Sequence, residues 1–526
     1  MNTGSGRLME NAGESKIRLI AQPARRCRKK HMAYRKKHKP YILKYKALIL
    51  KQVPCIFEHS KHLINNNLHT SFEIRLNIWF SATCKKIHKF GRIQECFSAP
   101  QLPPRSRSLA RRGRRQAILT TFAGENKKNK IQIMKYDFST PIKRKDTDCV
   151  SMELMKQATG RDDLMPLWIA DMGFPTPPFV IKAIEKRLKQ HILGYTCASE
   201  SYYRCIEDWN KRHYSFDVPR KAIHYVPGIV PGIYFAVNCF TEKGDAVMIE
   251  TPVYHPFGNV TRGSERKVVE VPLILENGRY RMDYDEIDRR LPECKMFILC
   301  NPHNPGGTSW TKEEIAQVVK LCKKHGVVLV SDEIHADMTY NAADHIPTAT
   351  SCDEAADITI TFMAPTKTFN LPGVVSSHTI VLNDSLRRKF FSYLENNDIG
   401  NGNVFAYDCV EACYSPEGEE WLKQMLDYVK GNVEYVYDFL ASHCPKITFI
   451  TPEASFLLFL DNRALGLDSQ KELTDFYIND AGLYLNDGEM FGKPGRGFMR
   501  MNVGQPRCTI EKAMNQLAKA YAKRGF

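Results

Sequence analysis

The chain has 526 residues, enough for more than one domain and a large core. Its net charge of +17 at first suggests a nucleic-acid partner, but residues 1–133 hold 30 Lys and Arg against 6 Glu and no Asp, a net of +24, and residues 134–526 have a net of −7. No stretch approaches the ~18 consecutive apolar residues of a membrane span, and the 16 cysteines form no C-x-x-C pair and no Cys/His cluster at zinc spacing, so they read as free thiols in a reducing compartment.

Residues 1–133 lack a folded pattern. "ARRCRKKHMAYRKKHKP" and "RSRSLARRGRRQ" are charge blocks without an apolar period, and nothing between them shows clear caps or turns. A nucleic-acid-binding tail, a transit-type presequence and a wrongly chosen start compete here. We take the last, with the start at Met134, where "MKYDFSTPIKRKDTDC" opens coherent sequence. The expected divisions are a disordered leader at 1–133, a segment at 134–180 that joins a small domain, a large domain at 181–420, and a small C-terminal domain at 421–526.

From about residue 180 the pattern is α/β. "DAVMIE" (245–250), "KMFILC" (295–300), "VVLVSD" (327–332) and "ITITFM" (358–363) are continuous apolar runs, as in strands buried on both faces. Between the second and third, Thr311 and Glu314 make a capping box, and Gly326 stops the helix after "IAQVVKLCKKH". That spacing predicts a parallel βαβ unit. Ligands bind at the carboxyl edge of such sheets. No G-x-G-x-x-G follows any strand, which leaves a dinucleotide site unsupported.

Four strand ends then carry chemistry. "TPVYHPF" (251–257) follows the first, "NPHNPGG" (301–307) the second, "DEIHAD" (332–337) the third and Lys367 the fourth. Each has a plain structural reading: Lys367 as a surface lysine, Asp332 as a loop cap, Asn304 as a turn former, Tyr254 as core. Together they are the set a pyridoxal phosphate site needs. An amine condenses with the aldehyde, a carboxylate keeps the ring nitrogen protonated, an amide holds the 3-oxygen and an aromatic ring stacks on the cofactor.

With those residues in view, the stretch from Met134 to Phe526 resembles the fold type I pyridoxal-phosphate enzymes, most closely the MalY/PatB branch of C–S β-lyases within the cystathionine β-lyase and class I/II aminotransferase superfamily. The motifs are "PLWIADMGF" (166–174), "GYT" (194–196), "TPVYHPF", "NPHNPGG", "SDEIHADM" (331–338), "APTKTFNLPG" (364–373) and "GFMRMNVGQPR" (497–507). The resemblance implies a large domain with a mostly parallel seven-stranded sheet and a smaller α+β domain. It implies that Lys367 is the Schiff-base lysine and proton shuttle, that Asp332 pairs with the pyridine nitrogen, and that Asn304 bonds the 3-oxygen with His335 close by. Tyr254 would stack on the ring, the amides of Ile229 and Val230 would hold the phosphate, and Arg500 would bind the substrate carboxylate. Tyr195 would reach a phosphate across the interface of a cytoplasmic homodimer with shared sites.

The expected reaction is elimination of a thiol from a small sulfur amino acid, giving pyruvate and ammonia, with no metal and no membrane. A class I/II aminotransferase is the alternative, since both routes share proton removal at Cα. A basic nucleic-acid-binding protein, through residues 1–133, is the remote one. Three departures stand out: Gly173 where the branch usually has Asp, Gly306 in place of the commoner "NPTG" form, and Val375 where many aminotransferases place an arginine.

Overall fold

The computed structural model describes residues 135–340 and 345–526. The expectations for residues 1–133, including the start at Met134, fall outside the described residues.

The apolar runs form the core of a seven-stranded sheet. Its strands are β1 (Ile223–Val226), β2 (Ala246–Thr251), β3 (Lys267–Pro272), β4 (Cys294–Cys300), β5 (Val328–Asp332), β6 (Thr359–Met363) and β7 (Ser377–Ile380). They lie in the order β1-β7-β6-β5-β4-β2-β3. Pairs β6·β5, β5·β4, β4·β2 and β2·β3 are parallel, and β7 runs antiparallel to both β6 and β1. The sheet is therefore mostly parallel, as the continuous apolar strands require.

Successive side chains point to opposite faces, and each face has its own cover. Met296, Ile298, Val330, Ile360 and Phe362 pack with Ile233, Val237, Phe390 and Leu394 from helices Ile229–Phe240 and Asp384–Asn396. The alternate residues Phe297, Leu299 and Leu329 pack with Ile315, Val318 and Cys322 from helix Lys312–His325. That helix starts with the expected capping box, Glu314 N to Thr311 Oγ1 at 3.2 Å and Thr311 N to Glu314 Oε2 at 2.8 Å, and ends at Gly326 with φ 67°.

A second, antiparallel sheet joins Thr448–Phe449, Leu457–Asp461, Phe498–Asn502 and Asn486–Asp487 in that order. Helices Pro416–His443 and Arg507–Arg524 bury Leu440, Met514 and Leu517 in the same core as Leu458, Leu460 and Met501 of this sheet. The α/β fold with a large, mostly parallel sheet and a smaller α+β part agrees with the expectation.

Candidate active site

Register brings the strand ends together. Cys300 faces Asp332 across β4 and β5, and Asp332 faces Phe362 across β5 and β6. The carboxyl ends of three adjacent parallel strands therefore stand in one row. Asn304 follows that row by four residues and Lys367 by five, each in a tight loop.

Asp332 is 3 % exposed, and its Oδ1 accepts from Ile334 N at 3.1 Å. Burial, opposed by that hydrogen bond, pushes its carboxyl up to about 7. Lys367 Nζ donates to Ala170 O at 2.6 Å. Burial first, and then the Arg500 charge, push the amine down to about 8. A lysine this far below its ordinary 10.5 can give and take protons near neutral pH.

Arg500, 4 % exposed, lies on the strand Phe498–Asn502 of the second sheet. Its Nη1 donates to Asn304 Oδ1 at 3.0 Å, and its Nη2 donates to Asn486 Oδ1 at 2.6 Å and Trp168 O at 3.0 Å. Its guanidinium carbon stands 4.8 Å from the Phe491 ring centroid. Burial pushes Arg500 down to about 10. Because Asn304 Oδ1 is engaged by Arg500, its Nδ2 is left to donate elsewhere.

Tyr254 is half-buried. Burial pushes its hydroxyl up, and the Arg500 charge opposes the shift, which places the two in one electrostatic environment. His335 is buried, and burial followed by the Lys367 and Arg500 charges pushes it down to about 3. Ile229 and Val230 open the helix Ile229–Phe240 behind Gly228, whose φ of 112° favours glycine. First-turn amides have no intrahelical acceptor and make an anion site. The single chain does not bring Tyr195 into this group. Its side chain is fully exposed, beside the exposed Ile192 and Leu193.

Several functional contacts escape sequence reasoning. The segment 168–174 supplies main-chain acceptors to both Lys367 and Arg500. Asn370 holds it from one side, accepting from Met172 N at 2.9 Å and donating to Met172 O and Phe174 O at 3.0 and 2.7 Å. Asn502 holds it from the other, donating to Ile169 O and Asp171 O at 2.8 and 2.6 Å. Behind Asp332, Glu333 Oε2 meets His345 Nε2 at 2.7 Å with both side chains fully buried, while Ser331 Oγ and Thr348 N donate to Glu333 Oε1. The first group falls within the motif "PLWIADMGF", but nothing in it marks which main-chain atoms are used. The second has no signal in the sequence.

Two of the departures have steric reasons. A Cβ on Gly306 would lie 2.5 Å from the Tyr280 ring and 2.8 Å from His303 Nδ1, so a larger residue there would force these buried side chains to move. A Cβ on Gly173 would lie 2.1 Å from Gln505 Oε1, so Gln505 fills the space a larger residue would use. Val375 sits at φ 57°, an unusual value for a β-branched residue, and is 43 % exposed.

These groups fit pyridoxal phosphate. His335 Nδ1 and Arg500 Nε are buried without a partner among the described residues, an amine and a carboxylate share a dry edge, and a helix N-terminus opens at the end of β1. No cluster of His, Cys, Asp or Glu among the described residues could hold a metal ion, and no helix among them is long and apolar enough to cross a membrane.

Fold and site together define a pyridoxal-phosphate-dependent enzyme of the fold type I class. The family described as "Aminotransferase class I and II" matches residues 162–517, and the chain belongs to it. It is 35 % identical over 386 residues to "Cystathionine beta-lyase PatB" of Bacillus subtilis, covering 73 % of this chain and 99 % of that protein. It is 30 % identical over 389 residues to "Protein MalY" of Escherichia coli, covering 73 % and 98 %. Among solved structures it resembles cystalysin from Treponema denticola, which contains a pyridoxal 5'-phosphate cofactor, at 33 % identity and a TM-score of 0.72, covering 74 % of this chain and all of that one.

Proposed function

We propose that this enzyme is a C–S β-lyase that eliminates a thiol from a small sulfur amino acid and yields pyruvate and ammonia. The observation that carries the reading is the meeting of Lys367, Asp332, Asn304 and Arg500 at one sheet edge. The name of the PatB relative, a cystathionine β-lyase, supports the choice of reaction.

Each residue then has a task. Arg500 binds the substrate carboxylate with its planar guanidinium, which Asn304, Asn486 and Trp168 already orient. Lys367, whose amine burial and the Arg500 charge hold below the ordinary lysine value, removes the Cα proton. When bound, the cofactor supplies an electron sink for the pair left at Cα. Asp332 would hold a proton at the ring nitrogen, Asn304 Nδ2 would donate to the 3-oxygen with His335 beside it, and Tyr254 would cover the ring. The amides of Ile229 and Val230 would take the phosphate. Water excluded by the buried edge strengthens each of these charge contacts.

The same proposal places the protein in the cytoplasm as a homodimer in which Tyr195 completes the partner's phosphate site. The exposure of Tyr195, Ile192 and Leu193 on one chain supports the dimer. It also keeps the division at 134–180, 181–420 and 421–526. Transamination is the second reading, favoured by the family description. One assay separates them: cystathionine or an S-alkyl cysteine with no keto acid present. Steady release of pyruvate, ammonia and thiol over many turnovers is expected. A stop after one equivalent, relieved by a keto acid, would assign transamination.

A further inference from the structure

The turn that carries Asp332 and the loop that carries Lys367 are joined twice. At their base Glu333 N donates to Phe362 O at 2.9 Å, near the end of β6. The turn then closes on itself, Ala336 N to Glu333 O and Met338 N to His335 O, both at 3.0 Å. The lysine loop does the same, Phe369 N to Pro365 O and Leu371 N to Thr366 O, both at 2.9 Å. At the far end Thr368 Oγ1 donates to Asp337 Oδ2 at 3.1 Å. Thr368 is fully buried and directly follows Lys367. The other oxygen of Asp337 accepts from Trp209 Nε1 at 2.8 Å and from the Tyr214 hydroxyl, both on the helix Glu200–Tyr214. A carboxylate has about four lone-pair sites, so it can accept from all three donors at once.

We propose that Asp337 is a positioning residue for Lys367, and that through Thr368 it fixes the lysine loop against the turn that carries Asp332 and His335. This rests on the reading of Lys367 as the group that moves the Cα proton, which elimination and transamination share. The base contact is made at Phe362, several residues before the lysine, whereas the Asp337 contact is made at its immediate neighbour. Ala170 O holds the tip of the side chain at 2.6 Å, and Asp337 holds the backbone at its root. The acceptor is itself anchored. Trp209 is 1 % exposed and stacks on Tyr414 with ring centroids 4.7 Å apart. The charges that act on the amine are those of Arg500, Asp171 and Asp332, and Asp337 works through the Thr368 hydroxyl instead. Proton transfer needs the amine at hydrogen-bond distance from its target, so a loop that shifts by a fraction of an ångström loses rate before it loses the fold.

The test cuts the link at Thr368, where valine keeps the shape and removes the hydroxyl. In the holoenzyme Thr368→Val should lower kcat about 10–100-fold with little change in KM, the scale of a small misplacement of reacting groups. Thr368→Ser, which keeps the hydroxyl, should recover most of that loss, and Asp337→Ala should reproduce it. A second arm follows acylation of the Lys367 amine against pH in the cofactor-stripped protein, read by peptide mass spectrometry. An amine released from its dry edge regains protons, so the midpoint should move from about 8 toward 10.5 in Thr368→Val and stay put in Thr368→Ser. Wild-type kcat with an unmoved midpoint in Thr368→Val would overturn the proposal, and so would a lowered Tm as its sole effect. An equal loss in Thr368→Ser would overturn it as well, because the hydroxyl would then be idle. If Asp337→Ala fails to fold, the two Thr368 variants decide. If the wild-type enzyme turns over no amino acid, the proposed function fails, and the acylation midpoint alone still decides the role of Asp337.

Discussion

Lys367 Nζ and Ala170 O stand 2.6 Å apart although 197 residues separate them in the chain. The contact pins an amine at a desolvated edge where Arg500 also disfavours its charge. Lys367→Ala should leave the cofactor pocket in place and remove most turnover, by at least the ~10²–10⁴-fold of lost proton transfer. Steady-state assay with the cofactor's visible absorbance checks both halves.

The same amine carries a stability cost. Its folded value near 8 lies below the ordinary 10.5, so between those pH values the unfolded chain holds a proton that the folded chain does not. Stability of the cofactor-free protein should rise with pH across that window, and the penalty is complete below it. Lys367→Met should therefore raise Tm at pH 7, with the gain shrinking toward pH 10.5. No gain at pH 7 would contradict the assignment.

Glu250 on β2 behaves in the opposite sense. It is 3 % exposed, its Oε1 has no partner among the described residues, and burial pushes the carboxyl up to about 8 from 4.5. Between 4.5 and 8 the folded chain holds the extra proton, so stability falls as pH rises. Glu250→Gln should stabilise the protein at pH 8.5 and leave it nearly unaltered at pH 4.5, measured as the shift in thermal midpoint.

Glu333 and His345 form a fully buried pair one residue beyond Asp332. Removing one partner strands the other in a dry site, so His345→Leu should cost about 3–5 kcal/mol in denaturant unfolding. Replacing both by apolar residues should cost less than the single change.

Tyr195 gives the test of shared sites. Activity should fall on dilution below the dimer constant. Mixing Lys367→Ala chains with Tyr195→Phe chains should restore activity, because one site of each mixed dimer then carries neither defect. Mixed dimers without recovery would place Tyr195 in its own chain's site.

Much of this fold is legible in the sequence because its information is local. Four apolar runs, a capping box at Thr311 and a stop at Gly326 define a βαβ unit without any long-range knowledge. The strand-end residues Asp332, Asn304 and Lys367 are legible for the same reason, since parallel strands bring their carboxyl ends to one edge. The contacts of segment 168–174 are not, because they join main-chain carbonyls to residues some 200 to 330 positions away. A main-chain acceptor leaves no mark on residue identity.

The grip of Asn370 and Asn502 on segment 168–174 is made to its amides and carbonyls. None of these bonds depends on which side chains residues 169, 171 and 173 carry. Mutation can therefore change those three side chains while the hydrogen bonds that place the carbonyls beside Lys367 and Arg500 are inherited unchanged. An ancestor with this scaffold could let those three positions drift one side chain at a time, without passing through a form whose main-chain grip is broken.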